Sequence, residues 1–382
     1  MISKMKFLQT WLFLAALLFA GCDPNDDVIP EEELPIERDV YVAGFEEDQG
    51  YFAARFWKNG EVQTLADGRL LPSECKTASR VLSVFVSGDD VYVAGYDIIV
   101  TGDNWTEEDG VVLTHGDESV CRARLWKNGE VQPLASTYSD RALSVFVSGE
   151  DVYVLGSDMP SPQTSPKLQS FKIWKNGEAE IFAQGSVEWA VNSLFVSEGD
   201  VYVAGSKPTP SGSRAVLWKN GVEEILTSEA INSYANSVFV SDKDVYVAGY
   251  GYYLLNNHHV SFAKLWKNGK VENLTSGTEF GKAYSVYVSN GDVYAAGEDN
   301  GKARLWKNGV VQDIADDEKA RMYLSVFVSG EDVYLSGCVE ASVPSGNATL
   351  VYPQAALWKN GQRLNLDVKE GSQSEALSVS VK

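Results

Sequence analysis

Basic residues are scarce in this chain: 32 Lys and Arg stand against 53 Asp and Glu over 382 residues, a net charge of −21. A nucleic acid needs a basic face for its phosphates, and an anionic lipid surface needs a polybasic one, so neither is an electrostatic partner. Histidine is rarer still, with only His115, His258 and His259. No Gly-x-Ser-x-Gly, His-Glu-x-x-His or Gly-rich phosphate loop occurs, so none of those sequence-marked chemistries is signalled. The adjacent His258 and His259 point in different directions and make a poor zinc site. Asp299-Asn300-Gly301 and Asp316-Asp317-Glu318 match no complete calcium loop and read as solvated turns. Neither a metal nor a cofactor is expected. Helical periodicity is absent, and the apolar run from Phe7 to Ala20 is shorter than the ~20 residues that span a bilayer.

That run follows Lys4 and Lys6 and ends Leu18-Phe19-Ala20-Gly21-Cys22. Residues 1–21 therefore read as a secretory leader, set aside from the fold. The ending resembles the bacterial lipobox, in which the chain is cut before the cysteine and the cysteine is acylated. The resemblance implies lipidation at Cys22, and several acyl chains at ~0.8 kcal/mol per buried CH₂ anchor a domain firmly. After Cys22 the chain is acidic and punctuated by proline as far as residue 38, which predicts a disordered tether. At ~3.1 Å per residue it reaches up to roughly 50 Å. The acids soon after Cys22 resemble the surface-export signal of Bacteroidetes lipoproteins, whereas Asp23 resembles the inner-membrane retention signal of enteric bacteria. An outer-membrane, surface-exposed location is expected, the periplasmic side being the alternative. Once Lys4 and Lys6 leave with the leader, 30 basic and 53 acidic residues give a net charge of −23. With Cys22 acylated, Cys75, Cys121 and Cys338 remain, so at most one pair forms within the chain. Cys75 and Cys121 fall in loops on one face and are the disulfide candidates; Cys338 is expected to be unbridged.

Against these scarcities stands a repeat. Asp-Val-Tyr begins at Asp39, Asp90, Asp151, Asp200, Asp244, Asp292 and Asp332, alternating with Trp-Lys-Asn-Gly from Trp57, Trp126, Trp174, Trp218, Trp266, Trp306 and Trp358. Ser-Val-Phe-Val-Ser and its variants start at Ser83, Ser144, Ser193, Ser237, Ser285, Ser325 and Ser378. Self-similarity at this period marks a repeat architecture. Ser-Val-Phe-Val-Ser and Asp-Val-Tyr-Val-Ala-Gly alternate as two strands of a hairpin, and Asn-Gly supplies a type I′ turn between a third and a fourth. Four antiparallel strands per repeat predict an all-β, seven-bladed β-propeller over residues 39–382. The first repeat lacks Ser-Val-Phe-Val-Ser, and the chain ends on that missing strand, so the C-terminal strand is expected to close the first blade. The seven Trp are expected to pack blade on blade. The repeated Lys and Asp are expected to form exposed pairs worth little stability.

Residues 39–382 resemble the seven-bladed propeller lipoproteins with repeated Trp-Lys-Asn-Gly turns of gut and oral Bacteroidetes, a group whose resemblance implies architecture and compartment but no mechanism. The Gly-Gly of kelch repeats, the Trp-Asp of WD40 repeats and the Asp-box of sialidases are absent. Thr101-Gly102-Asp103-Asn104-Trp105 only loosely approaches the last.

Loops between strands two and three and between four and one vary widely in length, and variable loops on a fixed scaffold carry function. On that face, the residues expected to open the innermost strands at the channel mouth are Arg80, Arg141, Trp189, Tyr234, Lys282, Tyr323 and Glu375. Aromatic, cationic and acidic groups together suit a small polar or glycan ligand. The expectation is a monomeric, non-catalytic cell-surface binding or scaffold propeller, recognising an extracellular glycan, peptide or partner protein and touching the membrane only through its lipid. The alternative is a propeller hydrolase or lyase acting on polysaccharide, which needs two carboxylates at a suitable separation. A close carboxylate pair at the mouth is the feature that distinguishes them.

Overall fold

The computed structural model describes residues 38–48, 51–66, 75–100, 105–108, 111–114, 119–135, 140–158, 168–227, 232–256, 258–277, 280–312, 319–345 and 348–382. Five separate sheets have four antiparallel strands each. A sixth sheet has eight strands. In that larger sheet a single parallel bridge, Phe52 to Ala78, joins two four-stranded groups. The protein is an all-β propeller of four-stranded antiparallel blades, numbered here in chain order from the blade that contains Val40.

The first blade carries the C-terminal strand as its innermost member: Ser374–Val381 pairs antiparallel with Val40–Asp48, Val40 opposite Val381. The innermost strands of the remaining blades are Cys75–Ser87, Asp140–Ser148, Ala190–Ser197, Asn232–Ser241, Lys282–Ser289 and Ala320–Ser329. Each of these strands packs on the next, and Ser374–Val381 touches both Ala320–Ser329 and Cys75–Ser87, which closes the ring.

Three repeated devices hold the ring. The seven repeat Trp are 0–2 % exposed. Trp57 packs on Tyr334 and Leu357 of the seventh blade, and its indole Nε1–H donates to the Asp367 carbonyl at 2.8 Å. Trp174 repeats the bond to Ala135 of the second blade. Serines of the innermost strands form the second device. The N–H groups of Val84, Val145, Val238, Val286, Val326 and Val379 donate at 3.1–3.3 Å to Ser378, Ser83, Ser193, Ser237, Ser285 and Ser325 of the preceding blade. The first Ser of Ser-Val-Phe-Val-Ser thus satisfies a backbone donor that the sheet edge would leave unpaired. Third, Phe85, Phe146, Phe195, Phe239, Tyr287 and Phe327 form an arc with centroids 4.6–4.8 Å apart. The buried Ser380 takes the seventh place.

At the turns the expected ion pairs are present. In each repeat Lys meets the Asp of Asp-Val-Tyr at 2.7–2.9 Å. Asn of the same turn donates to that Asp at 2.7–2.8 Å. Its backbone is left-handed, with φ of 48–53° followed by glycine, as a type I′ turn requires.

Candidate functional site at the channel mouth

Every innermost strand carries a bulge at one place, immediately before the Ser that bridges the blades. One step earlier, a residue faces the glycine of Asp-Val-Tyr-Val-Ala-Gly or its variant. That glycine is required: a Cβ on Gly95 would stand 2.0 Å from the Arg80 carbonyl oxygen, and one on Gly297 would stand 2.0 Å from that of Lys282. The seven carbonyls so met belong to Arg80, Arg141, Ala190, Tyr234, Lys282, Met322 and Glu375.

The mouth is therefore a ring of cross-strand pairs. They are Glu375 with Phe45, Arg80 with Tyr96, Arg141 with Ser157, Ala190 with Ser206, Tyr234 with Tyr250, Lys282 with Glu298 and Met322 with Cys338. Five of the seven expected residues stand in this ring. Trp189 and Tyr323 do not, and each is displaced by one residue, which in a strand sends the side chain to the other face. Trp189 lies outside the strand, stacked on Phe171 and Trp218 at 5.9 and 6.2 Å and covering Gly185. Tyr323 faces Gly337, is 2 % exposed and meets Trp358 edge-on at 4.9 Å. Both are wedges within the blade wall; Ala190 and Met322 occupy the mouth instead.

The second member of each pair, the residue after the repeated glycine, was not among the sequence candidates. It was legible as a column, and in that column Glu298 is the one acid. Glu298 is buried, accepts the Tyr284 hydroxyl at 2.6 Å and pairs with Lys282 at 3.3 Å. Tyr284 is the bulge residue of its strand, where other blades have Leu or Asn. Burial, followed by the Glu298 charge, pushes its phenol far above the ordinary range. Glu298 is thus held by one neutral and one cationic donor.

Glu375 lies in a different environment. Burial raises its carboxyl above the usual range, and the nearby Arg80 opposes the shift. The two acids open on one cavity of about 350 Å³, whose walls include Arg321, Met322, Cys338 and Tyr352. Cys338 is buried and unbridged. Its thiol is pushed up to about 12 by burial and then by the charges of Glu375 and Glu298, so both carboxylates act on one point. Beside them Tyr234 stacks on Tyr250 and Tyr252 at 4.9 and 6.2 Å, and Lys282 Nζ sits 5.5 Å from the Tyr250 ring centre.

A larger cavity of about 870 Å³ opens between the third and fourth blades, lined by Ile173, Ile181, Phe182, Val203 and Val222. Its cation Lys175 is engaged by Asp151 at the turn, and its acids Glu178 and Glu180 lie on the exposed outer strand Glu178–Ser186. Size favours it; chemistry favours the mouth.

Two sequence expectations concern the remaining cysteines. Cys22 lies outside the described residues. Cys75 faces Val100 and Cys121 faces Ile98, on opposite sides of the strand Asp90–Val100. Two strand spacings alone set their Cα atoms at least roughly 9–10 Å apart, and the two-residue offset along the strand adds to it, beyond the ~7 Å that a disulfide spans, so the expected bridge does not fit this register. The Cys75 side chain itself is outside the described residues.

No family model matches the chain. Nor does any curated protein. Among solved structures it is similar to the Pyrococcus horikoshii acylaminoacyl peptidase, at 14 % identity and a TM-score of 0.43, over 85 % of this chain and 50 % of that one. The Trypanosoma rangeli sialidase gives 9 % and 0.36, over 69 % and 48 %. The Clostridium thermocellum α-L-arabinofuranosidase gives 12 % and 0.29, over 61 % and 97 %. The chain spans about half the length of the peptidase and the sialidase. Likeness at these levels speaks to architecture only. All three proteins are enzymes by name, and the expected non-catalytic binding or scaffold propeller finds no counterpart among them. In this chain Glu298 and Glu375 line the same cavity at the mouth.

Proposed function

We propose that this protein is a propeller hydrolase acting on polysaccharide at the channel mouth, with Glu375 as general acid and Glu298 as its carboxylate partner. The observation that carries the reading is that two acids with different partners line one cavity. Glycoside hydrolysis needs a carboxyl that holds its proton near neutrality to protonate the leaving oxygen. It also needs a carboxylate that is charged, either to activate water or to attack. Burial shifts Glu375 in the direction of the first, with Arg80 opposing it. For the second role, Glu298 is oriented by the Tyr284 hydroxyl at 2.6 Å and by Lys282 at 3.3 Å. The tyrosine stack of residues 234, 250 and 252 offers flat apolar faces for sugar rings beside the pair.

We propose further that residues 1–21 are a lipoprotein signal, that Cys22 carries the lipid, that residues 22–38 are the tether and that residues 39–382 form the propeller on the outer-membrane surface. Such a placement suits an enzyme whose polymer substrate cannot enter the cell.

The test is release of reducing ends from a polysaccharide panel. The wild type should release product, and Glu375→Gln and Glu298→Gln should each lose about 10²–10⁴-fold while keeping the wild-type melting temperature. Product absorbing as an unsaturated uronate would replace hydrolysis by elimination. Wild-type rates from both variants would remove the pair from the chemistry.

A further inference from the structure

The mouth holds two guanidinium groups that the proposed chemistry does not use. Elsewhere in this acidic chain several half-buried cations meet a carboxylate. Arg55 meets Glu46 at 2.9 Å, Arg124 meets Asp97 at 2.7 Å and Lys172 meets Asp140 at 2.6 Å. Lys207 pairs with Glu223. Arg141 is different. Its one described hydrogen bond is a long one, 3.3 Å to the Ser157 hydroxyl, and its Nε is buried with no acceptor. Among the described residues no carboxylate pairs with it. The acids beside it in sequence are committed elsewhere: Asp140 to Lys172, and Asp158 to the Ser170 N–H at 2.7 Å.

Arg80 occupies the same register in the neighbouring blade. Its guanidinium carbon lies 4.7 Å from the ring centres of both Phe45 and Phe52, and its Nε too is buried without an acceptor. Two aromatic rings at right angles, with centres 5.3 Å apart, hold that plane in place. An unsatisfied buried donor is costly, so a bound acceptor gains what the free protein forgoes. A guanidinium fork matches a planar carboxylate with two parallel bonds, a fit that a single ammonium does not offer.

Round the ring the order is Glu298 on the sixth blade, Glu375 on the first, Arg80 on the second and Arg141 on the third. We infer that Arg141, with Arg80 beside it, holds the carboxylate of a uronic acid, so that the substrate is an acidic polysaccharide positioned with its glycosidic oxygen toward Glu375. The orientation rests on the hydrolase reading; the carboxylate contact does not.

The two are separated by measuring binding in the full chain carrying Glu375→Gln, which holds turnover off. The probes are tetramers of galacturonic, glucuronic and mannuronic acid, the methyl ester of each, and dextran sulfate. At least one acid tetramer should bind roughly tenfold or more tightly than its ester. Arg141→Ala should erase that difference, and Arg141→Lys should restore part of it. Arg141→Gln, which keeps the length of the chain, guards against a folding defect and should behave as Ala does. Discrimination that survives Arg141→Ala and Arg141→Gln overturns the assignment, as does dextran sulfate binding as tightly as the best acid tetramer. Failure of every acid tetramer to exceed its ester overturns it as well. If discrimination holds while the Glu375 form of the protein cleaves nothing, the carboxylate site stands and the hydrolase reading falls.

Discussion

Deleting residues 374–382 tests fold and site together, because one strand closes the ring and carries Glu375. The strand buries Val379 and Val381 with Ala376, and the two valines alone account for about 3–6 kcal/mol of apolar burial. Removal also strips the ladder from Val40–Glu46 and the acceptor Ser378 from the Val84 N–H. Against a total stability of about 5–15 kcal/mol this is a large fraction. At roughly 2 °C per kcal/mol for a domain of this size, the burial term alone lowers the melting temperature by about 6–12 °C. The truncated protein should be followed by thermal melting with and without a synthetic peptide of residues 374–382. Peptide at a hundredfold excess over its Kd returns about 2.7 kcal/mol. The wild-type peptide should restore melting and hydrolysis; a peptide carrying Glu375→Gln should restore melting alone. An unchanged melting temperature after deletion would refute the closure. Equal activity with both peptides would refute the role of Glu375.

Further outcomes are expected elsewhere in the chain. Gly297→Ala places a methyl 2.0 Å from the Lys282 carbonyl oxygen and 2.9 Å from the Ala283 Cα, both backbone atoms, so it should cost about 1–3 kcal/mol by denaturant melting and reduce activity with it. The turn carboxylates are depressed, Asp39 to about 2, first through the hydrogen bond from Lys58 and then through that from Asn59. A depressed carboxyl stabilises the fold above its unfolded pKa of about 3.9 and loses that contribution as pH falls through its folded value. Acid unfolding should therefore steepen between about pH 4 and pH 2, and Asp39→Asn should flatten the first blade's share; no change in the acid limb would sink the linkage. Cys22→Ser should move the protein from the membrane to the soluble fraction, and retention on membranes would refute lipidation there.

The architecture was legible because each blade repeats the same physics. Trp fills an inter-blade gap, Asn-Gly turns a hairpin, and the C-terminal Leu377-Ser378-Val379-Ser380-Val381 visibly completes the first repeat. The site was legible only in part. Arg80, Arg141, Tyr234, Lys282 and Glu375 could be placed by register, but Trp189 and Tyr323 could not. The bulge and the start of each strand shift the alternation by one, and large aromatic rings suit the blade wall as well as the mouth. Glu298 was missed because its neighbours in the column after the repeated glycine are Phe45, Tyr96, Ser157, Ser206, Tyr250 and Cys338, which share no chemistry. Its meaning comes from Tyr284, Lys282 and Glu375, contributed by other strands and another blade. The cysteine pairing failed for a related reason: a loop assignment at Cys75 and Cys121 hid the strand that lies between them.

The assignment of Glu375 as the acid is tested most directly by comparing leaving groups. Once the polysaccharide is known, Glu375→Gln should be assayed on it and on an activated aryl glycoside of the same sugar, whose leaving group departs without protonation. On the natural polymer the variant should lose about 10²–10⁴-fold, while on the aryl glycoside most of the wild-type rate should remain. The wild-type polymer rate should fall as pH rises through the elevated value of Glu375, and that limb should vanish in the variant on the aryl substrate. Glu298→Gln should be inactive on both. Equal losses on the two substrates for Glu375→Gln, with the alkaline limb retained, would contradict the assignment.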